Sequence, residues 1–551
     1  MDSKEVLDSS IRSASYNILL QIAFRIITFA LNTFIIHYVD VAVLGLLNVR
    51  FYLLFSTILF VSREAFRRVC QSCSKRDDWR KVINLVWLTV ISTIISACVF
   101  SWIWLNVLSW PEGELAEKYR SSVLAISFSC ILESFFEPVY VFSQAFMYIK
   151  LRVVIDSLGM ILRVLGMVIT VYLAPQYAVE AGYFGQVGVS ILYLCGFWSF
   201  FYYEFWRRKK NNEPELPIQS LSGFLPKFPA GEEVLDWHLV KLVWSFFLQG
   251  LAKQVLTEGE KYIMTITSFL TMAEQGVFDI VNNIGSIAVR FLLLPIEDAA
   301  SFYFTKKLQR VPLEQQDEKA VAEASNVLFL LIRFMTLFGL SAVFLGVPIA
   351  KTVLALYGGE TLTSSVGPFL MQLNCGLIFL LALNGVTEGY ATATVSKAEL
   401  DMNSFFMVCT SGVYIVSALC FVYLYSSPGL AMANAVTLCL RIARSCYLIN
   451  KQYEGTPYSP LKNSFPKKWE IFALMLSFVL CSFVSYFVSS EPFLPTWSPL
   501  VSGVLCGLGV LWVIVVNEPE SLDIVLSRLS FLPMRVQSTI RALTRQHQRA
   551  D

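Results

Sequence analysis

Charged side chains recur inside an otherwise apolar stretch near the middle of the chain. At about 100° per residue, Gln249, Lys253, Thr257 and Glu260 fall on one stripe of a helix, with Lys261 at its edge. Such a helix crosses a bilayer only when its polar stripe faces protein or a wet cavity. The charges then either contact something polar that passes through the membrane, or form internal ion pairs that lock two helix bundles together. The pattern leaves both interpretations open.

The same kind of side chain recurs in other apolar segments. Burying a charge at mid-membrane costs at least about 2.5–3.5 kcal/mol on insertion scales, so we expect each such charge to have a structural or functional role. Cations in such a position can hold a diphosphate group, and carboxylates can pair with them when the diphosphate is absent, which motivates a lipid-phosphate transport hypothesis. Structural ion pairs explain many of the same residues, and they are the favoured interpretation of Arg163, Arg333, Arg441 and Arg444. The clustered charges are Arg25, Arg50, Lys253, Glu258, Glu260, Lys261 and Arg290.

The composition places the chain among polytopic membrane proteins. Of its 551 residues, 56% are hydrophobic and only 15% are charged. Many apolar runs reach the roughly 20 residues that span a bilayer. These figures exclude a disordered chain and disfavour a soluble multidomain enzyme. The formal net charge of +2 argues against nucleic acid as a partner.

Side chains suited to catalysis or metal binding are scarce. The three histidines, His37, His238 and His547, all lie outside the interior of the apolar runs. Walker, GxSxG and HExxH motifs are absent from the sequence. Cys70 and Cys73 form a CxxC without the second pair that a zinc site needs. We therefore expect no catalytic residue, no metal and no cofactor, and any transport has to be facilitated or coupled to an ion.

The apolar runs predict an all-α polytopic membrane protein with about 14 transmembrane helices. They form two pseudo-symmetric six-helix lobes and a C-terminal helix pair that carries no buried charge. A hydrophilic segment rich in Pro and Glu, which opens with RRKK, is the best domain boundary. The predicted organisation is an N-lobe at 1–203 (spans 1–6), a cytosolic linker at 204–238, a C-lobe at 239–450 (spans 7–12), spans 13–14 at 451–516 and a cytosolic tail at 517–551.

The distribution of basic residues predicts the orientation. With fourteen spans and a cytosolic N-terminus, the Lys and Arg residues outside the spans fall almost entirely in cytosolic loops, as the positive-inside rule requires. The exceptions are Lys118, Arg120 and Lys351. This count includes the weakly apolar seventh span, because without it every later loop would change sides.

An internal repeat supports the same plan. VSREAF at 61–66 aligns with LPIEDA at 294–299 and places Glu64 against Glu297. FFEPVY at 135–140 aligns with NGVTEGY at 384–390 and places Glu137 against Glu388. Six spans return the chain to the same side of the membrane, so the repeat is of the parallel type.

Several long and irregular stretches in both halves resemble the Rft family of endoplasmic-reticulum membrane proteins. That family belongs to the superfamily of multidrug, oligosaccharidyl-lipid and polysaccharide exporters. The matching stretches are LNVRFYLLFSTILFVSREAFRR (47–68), WSFFLQGLAKQVLTEGEKYIMT (244–265), QGVFDIVNNIGS (275–286), LPIED (294–298), LYGG (356–359) and NGVTEGY (384–390).

The resemblance implies fourteen helices in two six-helix lobes plus a pair. It also implies a role in N-linked glycosylation, in which a dolichyl-diphosphate heptasaccharide, rich in mannose, moves from the cytosolic to the lumenal leaflet of the endoplasmic reticulum. We expect a cavity between the lobes to take the diphosphate and sugars, while dolichol stays in membrane lipid and the lobes rock to give alternating access.

Two groups of residues are candidates for this work. The candidates for binding the diphosphate and sugars are Arg25, Arg63, Lys253, Lys261 and Arg290, and the candidates for pairing or gating are Glu64, Glu258, Glu260, Glu297 and Glu388.

Two alternatives to this function stay open. One is an accessory factor that binds the glycolipid or a glycosyltransferase without transport. The other is an ion-coupled exporter of small cations, in which Glu137 or Glu388 titrates.

Overall fold

Within the part of the chain that the structure describes, all regular elements are helical. The computed structural model describes residues 31–71, 78–146, 148–211, 216–228, 233–363, 366–462, 464–490 and 495–517. Residues 31–38 are helical and precede the numbered helices. These are α1 (Val41–Cys70), α2 (Trp79–Asn106), α3 (Glu114–Ser134), α4 (Glu137–Ala145), α5 (Ile149–Leu173), α6 (Ala178–Asn211), α7 (Trp237–Ile266), α8 (Met272–Lys307), α9 (Glu318–Thr363), α10 (Gly367–Thr394), α11 (Lys397–Tyr425), α12 (Pro428–Tyr453), α13 (Lys468–Ser490) and α14 (Ser498–Asn517).

Most of these helices are long and apolar enough to cross a membrane. Among the described residues, 10 helices meet that test, and the bent pair α3 and α4 makes an eleventh span if it counts as one. The axes of α3 and α4 differ by 49°. Helix α7 has only a short apolar part, Trp237–Leu248, and α14 has Ser498–Ile514. The predicted all-helical membrane architecture is confirmed, whereas the count of fourteen and the arrangement in lobes stay predictions.

Contacts divide the chain into two compact units at Gly276. Helices α1 to α7 belong to the first unit, and α9 to α14 to the second. The predicted domain boundaries rest on the sequence repeat, whereas this division rests on contacts between residues. The boundaries therefore stay a prediction. In the first unit, aromatic rings of three helices (α2, α4 and α6) and of the segment 204–238 (the connector) pack together at Phe142. The neighbours of that ring are Trp79, Phe146, Phe201 and Phe224.

Part of the predicted linker is fixed to the first unit. In the described segment 216–228, Phe224 is fully buried and packs against Phe142 and Phe201. Asn84 on α2 donates to the carbonyls of Lys227 (2.8 Å) and Val234 (3.0 Å) and accepts from the Lys227 amide (2.9 Å). One side-chain amide thus satisfies three backbone groups, as buried polar backbone requires. This segment is therefore part of the packed structure.

A close backbone crossing joins α1 to the start of α8 inside the first unit. A Cβ atom on Gly45 would lie 2.1 Å from the Met272 carbonyl oxygen, and one on Gly276 would lie 2.1 Å from the Val41 carbonyl oxygen. Only glycine fits at both positions, as at the small-residue crossings of membrane helices. The motif QGVFDIVNNIGS begins at this crossing, which explains its glycine.

The second unit is built on α9, α10 and α12. Tyr390 of α10 and Tyr453 of α12 are buried and joined through their hydroxyl groups at 3.1 Å. Helix α9 runs for 46 residues and bends at Gly358 and Gly359. The φ of Gly359 is +65°, a value that favours glycine, and this accounts for the LYGG motif.

An ion pair links the C-terminal helix pair to the rest of the second unit. Glu470 in the first turn of α13 is 1% exposed and lies 3.8 Å from Arg333 of α9. The expectation that the last two spans lack a buried charge is therefore wrong. Sequence reasoning missed Glu470 because it lies at the edge of the apolar run, where a glutamate ordinarily faces solvent.

Candidate functional site

The second span of each half contains a π-helical turn. In α1 the turn at Phe60–Glu64 contains Arg63, and in α8 the turn at Val289–Leu293 ends shortly before Glu297. A π turn accommodates an extra residue, rotates the following helix and often marks a functional site. The π turn overlaps VSREAF in the first half and directly precedes LPIEDA in the second, so both halves carry this distortion near the segments that the repeat aligns.

In the first unit, Arg63 lies in a buried ion network. Its guanidinium donates to Glu133 (2.9 Å) and Glu137 (3.0 Å), and Arg67, one helical turn later, donates through Nε to Glu137 (2.8 Å). Glu133 and Glu137 are 1% and 0% exposed. Two cations thus face two carboxylates, so the net formal charge of the network is zero.

Polar neighbours close this network. Ser190 and Gln186 of α6 donate to Glu133 at 3.2 and 3.3 Å, and Arg163 donates to the Gln186 side chain at 3.2 Å. The Arg67 guanidinium also lies 3.9 Å from the centre of the Tyr140 ring. Arg63, a candidate for binding the diphosphate, therefore has its hydrogen-bonding capacity directed to protein carboxylates.

Glu64 lies outside this network. It accepts from Arg68 at 3.0 Å on the surface of the same helix, and its side chain is 39% exposed. Such an i,i+4 pair in solvent stabilises a helix by only a few tenths of a kcal/mol. Glu64 is thus accessible, as a gating residue has to be.

Helix α7 places its charges against α1. The Lys261 ammonium lies 3.8 Å from the centre of the Tyr52 ring and 3.3 Å from Glu258. Tyr262 hydrogen-bonds Thr57 at 2.8 Å and fixes α7 beside α1. Of the other predicted residues here, Glu260 is half-buried, Lys253 lies on α7 with a side chain outside the described set, and Arg25 lies outside the described residues.

Helix α8 presents a polar face with an exposed cation. Arg290 is exposed and donates to Ser286 Oγ and to Asn283 Oδ1 (3.2 Å). Asn283 in turn donates to Asp279 at 3.1 Å. These residues recur at helical spacing along one stripe, which combines a guanidinium with amide, hydroxyl and carboxylate groups that suit a sugar phosphate.

In the second unit, Glu388 pairs with Arg441. The Arg441 Nη2 atom donates to both oxygens of Glu388, at 2.9 and 2.7 Å, and Asn384 donates to the same carboxylate at 2.8 Å. The predicted structural role of Arg441 agrees with this pair, and that of Arg333 agrees with its pair with Glu470.

Glu297 lies beside this pair. Its Oε2 atom is so close to Gly385 of α10 that a Cβ atom there would be 2.6 Å away. The carboxylate is half-buried, and among the described residues it has neither a hydrogen bond nor an ion pair. The structure thus brings Glu297 and Glu388 together in one cluster, whereas Glu64, the equivalent of Glu297 in the repeat, lies outside the network that contains Glu137.

The sequence analysis missed three members of these clusters as site residues. Arg67 and Glu133 each lie one helical turn from a residue that was singled out, namely Arg63 and Glu137. The two i,i+4 pairs, RxxxR and ExxxE, were a detectable signal because residues four apart share one face of an unbroken helix, although the bend between α3 and α4 separates Glu133 from Glu137. The third is Arg441, which lies a whole helix away from Glu388 and gives no local signal.

Comparison with known proteins identifies close relatives along the whole chain. A family model described as Rft protein matches residues 9–528. Curated relatives carry the name Man(5)GlcNAc(2)-PP-dolichol translocation protein RFT1. The one from Xenopus tropicalis is 37% identical over 96% of this chain and 98% of that relative. The relative from Mus musculus is 36% identical over 84% and 85%, and that from Drosophila melanogaster is 34% identical over 92% and 96%.

Two solved structures share the fold. The lipid II flippase MurJ in an inward closed conformation superposes with a TM-score of 0.56 at 12% identity, over 90% of this chain and 99% of that one. An inward-facing multidrug resistance transporter of the MATE family superposes with a TM-score of 0.51 at 11% identity, over 78% and 96%. The fold is therefore that of this group of transporters.

Proposed function

The chain belongs to the Rft protein family, and from this membership we propose that it moves a dolichyl-diphosphate oligosaccharide across a membrane. The cargo is the mannose-rich heptasaccharide intermediate of N-linked glycosylation. It passes from the cytosolic to the lumenal leaflet of the endoplasmic-reticulum membrane, in which the protein is a multi-pass component with both termini in the cytosol. The observation that carries this proposal is the match to translocation proteins over nearly their whole length.

The physical task is to carry a charged, sugar-bearing head group through hydrocarbon. The dolichol chain is as apolar as the lipid around it and can stay there, so only the head group needs a polar path. Diphosphate demands cations and sugars demand hydrogen-bonding groups. The polar face of α8, with Arg290, Asn283 and Ser286, offers both within a helix long enough to span the membrane.

We assign the residues of this path as follows. Arg290 binds the diphosphate, because its guanidinium is exposed and its hydrogen bonds within the described part of the chain go to neutral side chains of its own helix. Lys261, Lys253 and Arg25 complete the cationic set. Arg63 contributes only when its carboxylate partners release it. Glu64, Glu258, Glu260, Glu297 and Glu388 pair with these cations, or gate them, when the head group is absent.

The finer architecture is part of the same proposal. We infer fourteen spans, arranged as two six-span lobes and a C-terminal pair. The residues that bind the head group are exposed to each leaflet in turn. Transport of this kind requires no covalent chemistry, so the protein acts as a transporter and not as an enzyme. Its ligands are the glycolipid and surrounding membrane lipid.

One observation favours a second candidate function. Arg63 is sealed among Glu133, Glu137 and their polar neighbours, so in this conformation it is unavailable to a ligand. A protein whose buried cations serve only its own stability can still bind the glycolipid, or an enzyme that acts on it, without moving it. This accessory role predicts glycolipid binding without passage between leaflets.

Reconstitution separates the two functions. The purified full chain in lipid vesicles, with a labelled dolichyl-diphosphate heptasaccharide in one leaflet, should expose the label to an external lectin faster than empty vesicles do. Arg290→Gln should slow this exposure about tenfold or more, since losing a charge-assisted contact costs about 1.5–3 kcal/mol. Arg152→Gln removes an exposed i,i+4 pair with Asp156 and is the matched control. Rates equal to those of empty vesicles, with binding retained, would establish the accessory role.

A further inference from the structure

The two charge clusters differ in their balance. The first unit has two guanidinium groups, Arg63 and Arg67, against two buried carboxylates. In the second unit, Glu297 and Glu388 face a single guanidinium, that of Arg441. The repeat aligns Glu388 with Glu137 and Glu297 with Glu64, but Glu64 lies outside the first network and pairs with Arg68. Among the described residues, the second cluster therefore carries one carboxylate in excess.

In the arrangement observed, Arg441 is directed to Glu388 and not to Glu297. Its Nη2 atom donates to both oxygens of Glu388, and Asn384 donates to the same carboxylate. Glu388 thus accepts three hydrogen bonds, whereas the Arg441 Nε atom is buried without an acceptor among the described residues. Glu297 has none of these donors, although it lies against Gly385, three residues before Glu388 in the same helix.

Other charged groups near Glu297 do not compensate it. Asp298 is exposed and of like charge. Among the cations that the structure describes, Arg290 of the same helix donates to Ser286 and Asn283, and Lys307 of the same helix pairs with Glu323. Arg333 of α9 pairs with Glu470. An ionised, half-buried carboxylate without a hydrogen bond or an ion pair is costly inside a membrane helix.

A second observation points to the missing partner. Asn384 is 6% exposed, and its Oδ1 atom is buried without a hydrogen-bond donor among the described residues. Its Nδ2 atom is already directed to Glu388. The cluster thus contains a carboxyl group without a hydrogen bond and an amide oxygen without a donor among the described residues. A neutral carboxyl group supplies an O–H donor of the kind that this amide oxygen lacks.

We propose that Glu297 is a proton-binding site. When its carboxyl group is neutral, Arg441 stays paired with Glu388; when the proton leaves, the new carboxylate competes with Glu388 for Arg441. A metal cation fits less well, because N–H donors already occupy the oxygens of Glu388 and the guanidinium of Arg441 is adjacent. The proton is therefore the ligand, and helices α8, α10 and α12 change their ionic contacts with its arrival and departure.

This site gives the transporter a means of coupling proton binding to a conformational change. That role rests on the proposed translocation function, whereas proton binding itself does not. Exchange of Arg441 between two carboxylates alters which helices of the second unit are tied together, and a bistable contact of this kind can bias a conformational equilibrium.

Infrared spectroscopy of the full chain in lipid vesicles tests the site without any glycolipid. The stretching band of a neutral carboxylic acid should be present in the wild type at neutral pH, shift in heavy water and disappear on alkaline titration. Glu297→Gln should remove this band, and Glu388→Gln should also remove it, because Arg441 then pairs with Glu297. Glu64→Gln, at the position that the repeat aligns, should retain it.

Two results would overturn the site. One is a wild-type spectrum that superposes on that of Glu297→Gln. The other is loss of the wild-type band on adding sodium chloride at constant pH, which would identify a metal cation as the ligand. A third result separates binding from coupling. If the wild-type band is present but translocation in Glu297→Gln vesicles keeps the wild-type dependence on pH, the proton site stands and its coupling role is refuted. Rates equal to empty vesicles would refute the proposed function alone.

Discussion

Arg63 and Arg67 share two carboxylates that lie almost fully out of solvent. A pair of this kind is worth little relative to an apolar core, but removing one partner leaves a buried charge uncompensated. The network is therefore a point where a single substitution has a large effect. Its closure also explains why Arg63 is less accessible than Arg290, although both cations lie in π-helical turns of equivalent spans.

Glu137→Gln should destabilise the protein by about 3–5 kcal/mol, because it leaves two guanidinium groups with one carboxylate. We expect a clear fall in the unfolding temperature of the purified protein in detergent. Glu64→Gln is the control, since it removes only a solvent-exposed pair worth about 0–1 kcal/mol. Equal unfolding temperatures for the two variants would show that the network contributes no more than a surface pair.

Sequence reasoning identified the charged residues but could not identify their partners. Arg63, Glu297 and Glu388 were selected because charges in apolar runs are costly, and that argument requires no structure. Glu133, a partner of Arg63, is 70 residues away in the chain. Arg63 also lies in a π turn, which no residue pattern predicts. Arg441, selected only as structural, turned out to be the cation that pairs with Glu388 and leaves Glu297 without an ion pair among the described residues.

At the scale of elements, two glycines allow the backbones of α1 and the start of α8 to cross closely. A methyl group on either residue would overlap a backbone carbonyl oxygen, which cannot move aside as a side chain can. The helices would have to separate, and overpacking of this kind costs about 1–3 kcal/mol. The crossing therefore depends on Gly45 and Gly276.

Gly276→Ala should lower the unfolding temperature and the yield of folded protein. Gly166→Ala is a matched control, since it makes the same change within α5 at a position where nothing lies within 4 Å of the added methyl. There the gain in helix propensity should keep stability at or slightly above the wild-type value. A Gly276→Ala protein as stable as Gly166→Ala would contradict the observed crossing.

Asn84→Ala should release the connector from α2. The substitution removes three hydrogen bonds to the backbone of the connector, including the one from the Lys227 amide. We expect trypsin to cleave after Lys227 faster in the variant, as followed by mass spectrometry of the fragments. Asn106→Ala, which loses one exposed bond within α2, serves as the control. Unchanged cleavage after Lys227 would mean that aromatic packing of Phe224 alone holds the segment.

Element boundaries were predictable to the extent that apolar runs define them. Among the described residues, the apolar runs correctly predicted helices, including the weakly apolar α7, but they did not predict the packing of the connector. Composition misled here because Pro and Glu dominate 204–238, whereas the contacts depend on a few apolar residues within it, above all Phe224. The buried Glu470 was missed for the converse reason, because one charge at the edge of an apolar run carries no signal of burial.

For the molecule as a whole, the distribution of Lys and Arg predicts which loops face the cytosol. This rule reports the energetics of membrane insertion and not those of packing, so it is independent of every contact described above. The loops that follow α2 and α8 are predicted to lie on opposite sides. Glu112 in the first and Asp317 in the second are both exposed, which makes them a matched pair of positions for labelling.

Glu112→Cys should react with a membrane-impermeant maleimide only after sealed microsomes are permeabilised. Asp317→Cys should react before and after, because its loop is predicted to be cytosolic. The unmodified chain supplies the background, and most of its own cysteines lie in apolar runs where a charged reagent does not reach. Reversed labelling would reverse the orientation and hence the direction of the proposed transport, while labelling of both positions in sealed microsomes would remove one span between them and with it the fourteen-span plan.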